Sequence, residues 1–212
     1  MTKEELTTLF RTRGKQYRHR TSDYHILDEK HGKCSIYIKE SGSFEKDPVD
    51  WIRNVKAIPT KVNIDKKAVY VHKGFKEAFD ELIEVLYPQI HRYKEISIVG
   101  YSHGGALGIL TYLYLKEHMP LAKINPPVLF GCPMVFSFKK LSGHKHIRKL
   151  CKDVITVRYH NDIVARLPGF FLGYGRVGKE IHVKPKRKRL NPVKWIKSFF
   201  LDHGEYYNYF KL

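Results

Sequence analysis

Gly100-Tyr101-Ser102-His103-Gly104-Gly105-Ala106-Leu107 sets one serine between two glycines, directly after the apolar run Ile96-Ser97-Ile98-Val99. A strand that turns at once into a helix leaves no room for side chains beside the turn. The G-x-S-x-G spacing supplies bare backbone at Gly100 and Gly104 and pushes the serine hydroxyl outward. Ala106 to Leu113 then reads as a buried helix. Strand, tight turn and helix place Ser102 at the edge of a sheet, and a Gly-rich turn in an ordinary α/β protein is the plain alternative.

The rest of the chain repeats that alternation. Leu6, Leu9, Phe10, Arg13 and Tyr17 recur at helical spacing and predict a helix from about Lys3 to Arg20. Tyr24-His25-Ile26-Leu27 and Cys34-Ser35-Ile36-Tyr37-Ile38 flank a polar stretch with Gly32 and predict a hairpin. Val69-Tyr70-Val71 is a short strand, and Gly74 to Tyr93 is an amphipathic helix carried by Phe75, Ala78, Phe79, Leu82, Ile83, Val85, Leu86 and Ile90. Pro127 to Gly131 and Val154 to Tyr159 are bounded apolar runs of strand length, and Glu180-Ile181-His182-Val183 adds a late strand. Strands alternating with helices imply a mainly parallel central sheet with helices on both faces, in a single domain over residues 1–212.

Cys34, Cys132 and Cys151 are widely spaced and odd in number, which fits free thiols and no metal-ligand spacing. The charged N-terminus lacks the apolar core of a signal peptide, and the run from Gly104 to Leu115 is too short to span a bilayer. A cytoplasmic location is the expectation. The formal charge of +18, from 39 Lys+Arg against 21 Asp+Glu, favours anionic partners whatever the fold. An anionic membrane surface fits that field. Nucleic acid is disfavoured, because no DNA- or RNA-binding signature accompanies the charge.

A serine hydroxyl needs a histidine to take its proton and a carboxylate to orient that histidine. Asp162, just after the strand ending at Tyr159, and His203, in Asp202-His203-Gly204, are the leading candidates. Position alone leaves His160, His182 and Asp153 open beside them.

Five motifs in order resemble the class 3 lipases, the group typified by fungal triacylglycerol lipases. They are Val71-His72-Lys73-Gly74-Phe75, the extended elbow around Ser102, Phe130-Gly131-Cys132-Pro133, Asn161-Asp162-Ile163-Val164-Ala165-Arg166-Leu167-Pro168, and Asp202-His203 with Tyr206. The resemblance runs from about Ser35 to Tyr207. It implies an α/β-hydrolase fold in which Ser102 is the nucleophile, His203 the base and Asp162 the acid, cleaving lipid or smaller carboxylic esters with no cofactor. It also implies an oxyanion hole formed by Ser43 and the His103 backbone N–H. Here the family's usual R-G-[ST] step is replaced by Glu40-Ser41-Gly42-Ser43, which keeps Gly42-Ser43 but not the arginine.

Phe44, Val49, Trp51, Ile52 and Val55 supply the apolar face either of a lid over residues 43–55 or of an ordinary packed helix. The basic run Lys184 to Arg189, ahead of Trp195-Ile196 and Phe199-Phe200-Leu201, suits a solvated loop or an anionic interface. The same catalytic set would serve a phospholipase A-type hydrolase. The rival from another class is a basic membrane- or nucleic-acid-binding module on an inactive hydrolase scaffold, against which the retention of all three groups argues.

Overall fold

The computed structural model describes residues 2–11, 15–18, 22–40, 58–139, 143–184, 202–206 and 209. Helix α1 (Lys3–Arg11) is followed by strands β1 (Lys15–Arg18), β2 (Ser22–Glu29) and β3 (Lys33–Glu40). A hairpin of β4 (Pro59–Ile64) and β5 (Lys67–His72) leads into α2 (Lys73–Ile90), β6 (Glu95–Tyr101) and α3 (His103–His118). The chain continues through β7 (Lys123–Ile124), β8 (Val128–Phe130), β9 (Phe136–Ser137), α4 (His144–Leu150), β10 (Ile155–Tyr159), β11 (Tyr174–Gly175) and β12 (Lys179–Val183).

Two sheets form among the described residues. The larger runs β1-β2-β3-β6-β8-β10-β12, with β7 on the end of β6. Its pairs are parallel from β3 to β12, and β1, β2 and β3 join antiparallel. The smaller sheet, β11-β9-β5-β4, is antiparallel throughout.

Period-two alternation divides the large sheet's side chains between two cores. Ile96 and Ile98 of β6 and Leu129 of β8 join Ile36 and Ile38 of β3 under α2 and α3. Val99, Val128, Phe130, Val157 and Tyr159 face the other way and pack on Leu6 of α1 and Tyr206. Both faces are therefore covered, which is why the parallel strands read as apolar runs rather than alternating ones. Helix α3 lies between the sheet and α2, and every side chain from His103 to Leu113 is buried. It consequently shows no amphipathic stripe, whereas α2 does.

Two expectations need correction. The N-terminal helix stops at Arg11, and Lys15–Arg18 is instead a strand in register with Arg18↔Asp23 through Lys15↔Ile26 of β2. Gly14 is a poor helix residue, and an open strand edge offers the following residues a full ladder, so pairing overrides the helical spacing. Strand β4 has no counterpart among the expected elements. Its turn onto β5 uses Asp65 (φ 49°) and Lys66 (φ 61°), the paired left-handed geometry of a two-residue hairpin but without the glycine that normally advertises it.

Candidate active site

Three parallel strands end side by side and each delivers one part of the site. The carboxyl end of β6 turns at Ser102 into α3, β8 ends at Phe130 and leads to Gly131, and β10 leads to Asp162. Ser102 has φ 55° and ψ −126°, a sparsely populated backbone region for a residue with a side chain. The turn is held by the Ser102 N–H donating to the Phe130 carbonyl (2.8 Å) and the Gly105 N–H donating to the Ser102 carbonyl (2.9 Å). Gly104 is required by a close approach, because a Cβ there would collide with the Ile38 carbonyl at the end of β3.

His203 lies in a helical turn over residues 202–206 and reaches both of the other groups. Its Nδ1 is 3.0 Å from each oxygen of Asp162, and its Nε2 is 2.7 Å from the Ser102 Oγ. A carboxylate only accepts, so Nδ1 carries the ring proton and Nε2 is left to accept from the serine hydroxyl. All three side chains are buried. Tyr101 stacks on the imidazole (5.4 Å between ring centres, 13° between planes) and donates its hydroxyl to the His203 carbonyl at 2.7 Å.

Asp162 is fully buried and heavily supported. Its Oδ1 accepts from the N–H groups of Val164 (2.9 Å) and Ala165 (3.4 Å), and its Oδ2 accepts from the Tyr206 hydroxyl (2.8 Å). The Tyr206 hydroxyl itself accepts from the Tyr159 N–H at 2.8 Å. Burial, then the Asp162 charge, hold the Tyr206 pKa well above its ordinary value, so this phenol stays a donor.

The other sequence candidates go elsewhere. The His160 Nδ1 donates to Asp202 Oδ2 at 2.7 Å, and that oxygen also accepts from the Asn161 N–H at 3.1 Å. His182 Nε2 lies 2.9 Å from the His160 carbonyl, and Asp153 pairs with Lys179 at the surface. None of the three reaches Ser102. Asp202, to which the sequence pattern assigns no role of its own, is fully buried and ties the turn bearing His203 to the loop bearing Asp162. Its adjacency to His203 is the signal that was there to be read.

His103 is the first residue of α3, so its N–H has no acceptor within the helix. Its side chain is a finding of its own. The ring packs 5.6 Å from Phe75, its Nδ1 has no partner, and burial, with His72 adding repulsion, lowers its pKa to about 4. His72 caps α2, its Nδ1 accepting from the Phe75 N–H (3.4 Å), and burial lowers its pKa to about 4 as well. Ser43, residues 43–55 and the run from Pro185 to Arg189 lie outside the described residues. Among the described residues no cluster of three or more His, Cys, Asp or Glu side chains gathers to hold a metal, and no helix is long and apolar enough to cross a membrane.

The sequence profile of the family described as Lipase (class 3) matches residues 41–172, more than half of the chain. The chain belongs to the class 3 lipase family. This is a family of lipases, serine hydrolases of lipid esters. Solved structures agree on its α/β-hydrolase fold. The lipase from Rhizopus microsporus var. chinensis is 18% identical with a TM-score of 0.65, over 89% of this chain and 71% of that one. The Rhizomucor miehei lipase propeptide complex is 20% identical with a TM-score of 0.60, over 79% of this chain and only 55% of that one. A triacylglycerol lipase whose catalytic centre is formed by a serine protease triad is 18% identical with a TM-score of 0.65, over 86% and 74% of the two chains. No curated protein matches the sequence. The motifs around Ser102 and Asp162 sit at the carboxyl ends of β6 and β10, on either side of β8, and the motif around His203 sits in the turn over residues 202–206.

Proposed function

We propose that this class 3 lipase cleaves carboxylic ester bonds of lipids through an acyl-enzyme on Ser102. The observation that carries the reading is the single imidazole of His203, within hydrogen-bond distance of both the Ser102 hydroxyl and the Asp162 carboxylate. His203 takes the hydroxyl proton as Ser102 attacks the ester carbonyl, then returns it to the departing alcohol. Water repeats the cycle to release the acid. Asp162, held by two backbone N–H groups and Tyr206, fixes the ring and offsets the positive charge that develops on it.

The developing oxyanion is met by the His103 N–H at the start of α3, where the helix dipole adds to the donor. Ser43 is the second donor on the strength of its motif. The triad of the similar triacylglycerol lipase supports these roles. Three widely spaced thiols with no bridge between them are the feature that favours a reducing and hence cytoplasmic setting.

The decisive experiment is labelling with a fluorophosphonate followed by mapping of the adduct. The expected result is a single adduct at Ser102 that disappears in Ser102→Ala. An unlabelled protein, under conditions that label a control serine hydrolase, overturns the reading.

A further inference from the structure

The loop that leaves Asp162 ends in a second feature, separate from the reacting groups. Phe170, Phe171 and Leu172 form one 3₁₀ turn and are 68%, 104% and 46% exposed. Three successive large apolar side chains in water are unusual at a surface, and a turn that merely connected strands would not carry them. The turn is built to hold them out. Gly169 (φ 94°) and Gly173 (φ 78°) bound it with left-handed backbone, and the Gly169 carbonyl accepts from the N–H groups of Leu172 (3.2 Å) and Tyr174 (3.3 Å). Its base is fixed to the small sheet through the Phe138 N–H and the Gly173 carbonyl (2.6 Å).

Cations frame this prong. Arg166 is exposed, and Lys139 lies against Gly173. Arg158 and Arg176 stand in the groove behind Phe170 and share the one carboxylate of Glu180. Apolar tip, cationic collar and a chain charge of +18 together match one kind of surface: a bilayer bearing anionic headgroups. The prong also leaves the carboxyl edge of the sheet, the edge at which Ser102 and His203 meet.

We infer that Phe170-Phe171-Leu172 is a membrane-docking prong. It inserts among the acyl chains of an anionic phospholipid surface while Arg166 and Lys139 meet the phosphates. This deepens the lipid-ester reading by naming the surface on which the site works, and docking itself needs no turnover.

Ser102→Ala keeps the two questions apart, because it binds without consuming the vesicles. Ser102→Ala is expected to co-sediment with vesicles containing phosphatidylglycerol, and Phe170→Ser/Phe171→Ser in that background to bind more weakly by on the order of tenfold or more. Arg166→Gln should weaken binding about fivefold at low salt, with the difference shrinking as salt is raised. In the active protein the same prong substitutions should leave hydrolysis of a soluble short-chain ester unchanged. As a direct reporter, the emission that Phe171→Trp adds to that of the parent protein should shift to the blue on the anionic vesicles. Undiminished vesicle binding by Phe170→Ser/Phe171→Ser overturns the inference. So does an added emission from Phe171→Trp that stays unshifted on vesicles that bind the protein. If the prong substitutions abolish self-association but not vesicle binding, a second copy of the chain is the occupant and the inference is wrong. Failure to hydrolyse any ester, with vesicle binding intact, counts against the proposed reaction and not against the prong.

Discussion

His103→Leu removes a buried ionisable ring while keeping the backbone N–H assigned to the oxyanion. The native ring is 8% exposed, has an unpartnered Nδ1, and has its pKa lowered from 6.5 to about 4, by burial first and by His72 second. The folded protein therefore holds it neutral while the unfolded chain takes up a proton below about pH 6.5. Because the unfolded state binds more protons, stability is full above that pH, is lost as pH falls towards about 4, and levels off below it. At 1.36 kcal/mol per pKa unit the loss from this one ring amounts to about 3 kcal/mol.

Leucine fills a similar volume beside Phe75, has nothing to protonate, and leaves no polar atom unsatisfied. Urea unfolding of wild type and His103→Leu at a series of pH values is the assay. The difference between the two proteins should grow by about 3 kcal/mol in favour of leucine from neutral pH to about pH 4, since other acid-sensitive groups are common to both. Soluble-ester hydrolysis near neutral pH should persist in His103→Leu. Parallel stability curves with a constant offset would refute the claim that His103 is held neutral by burial.

Asp162→Asn should leave the backbone contacts largely in place yet lower kcat by roughly 10⁴-fold, the loss typical of a triad acid, as measured on a soluble ester. Ser102→Gly should abolish that hydrolysis and, because glycine tolerates φ 55°, unfold at higher urea than Ser102→Ala by about 1 kcal/mol or more. Tyr206→Phe strands the buried Tyr159 N–H and removes a donor from Asp162, so it should cost about 1–3 kcal/mol in chemical denaturation and reduce kcat. Gly131→Ala would put a Cβ 2.9 Å from the His203 ring and 3.1 Å from Asp162 at a backbone φ of 57°. It should lower kcat more than it raises KM, and an unaltered kcat would show that the ring tolerates displacement.

What could be read in advance depended on whether the information was local. The strand and helix around Ser102 were legible because a period-two run, bare glycines and an apolar helix follow one another within about twenty residues. The hairpin β4–β5 was not, because Asp65-Lys66 adopts a glycine-like geometry that only pairing with a neighbour enforces. Strands β9 and β11 span two residues each and exist through their partners. Motifs likewise singled out Ser102, Asp162 and His203, but they carry no distances. The contacts of Asp202 with His160 and Asn161 join segments some forty residues apart and leave no periodic trace. The neutral state of His72 and His103 is a property of burial, which a sequence pattern reports only after the fold is known.

The turn over residues 202–206 is expected to give heat inactivation its own course. Among the described residues it meets the rest of the molecule through Asp202 with the His160 loop, the His203 carbonyl with Tyr101, and Tyr206 with Asp162, Tyr159 and the core beneath α1. Its backbone is in no sheet ladder, so it can open as a small cooperative unit at a free energy below that of global unfolding. The same opening withdraws the imidazole and exposes two buried carboxylates to water. Hydrogen exchange on this turn should therefore exceed that of β6 and β10, and on warming, turnover should fade while the sheet's circular dichroism is still native. The expected outcome is that reversible loss of activity is a local melting event, which the strands that carry the serine and the acid outlast.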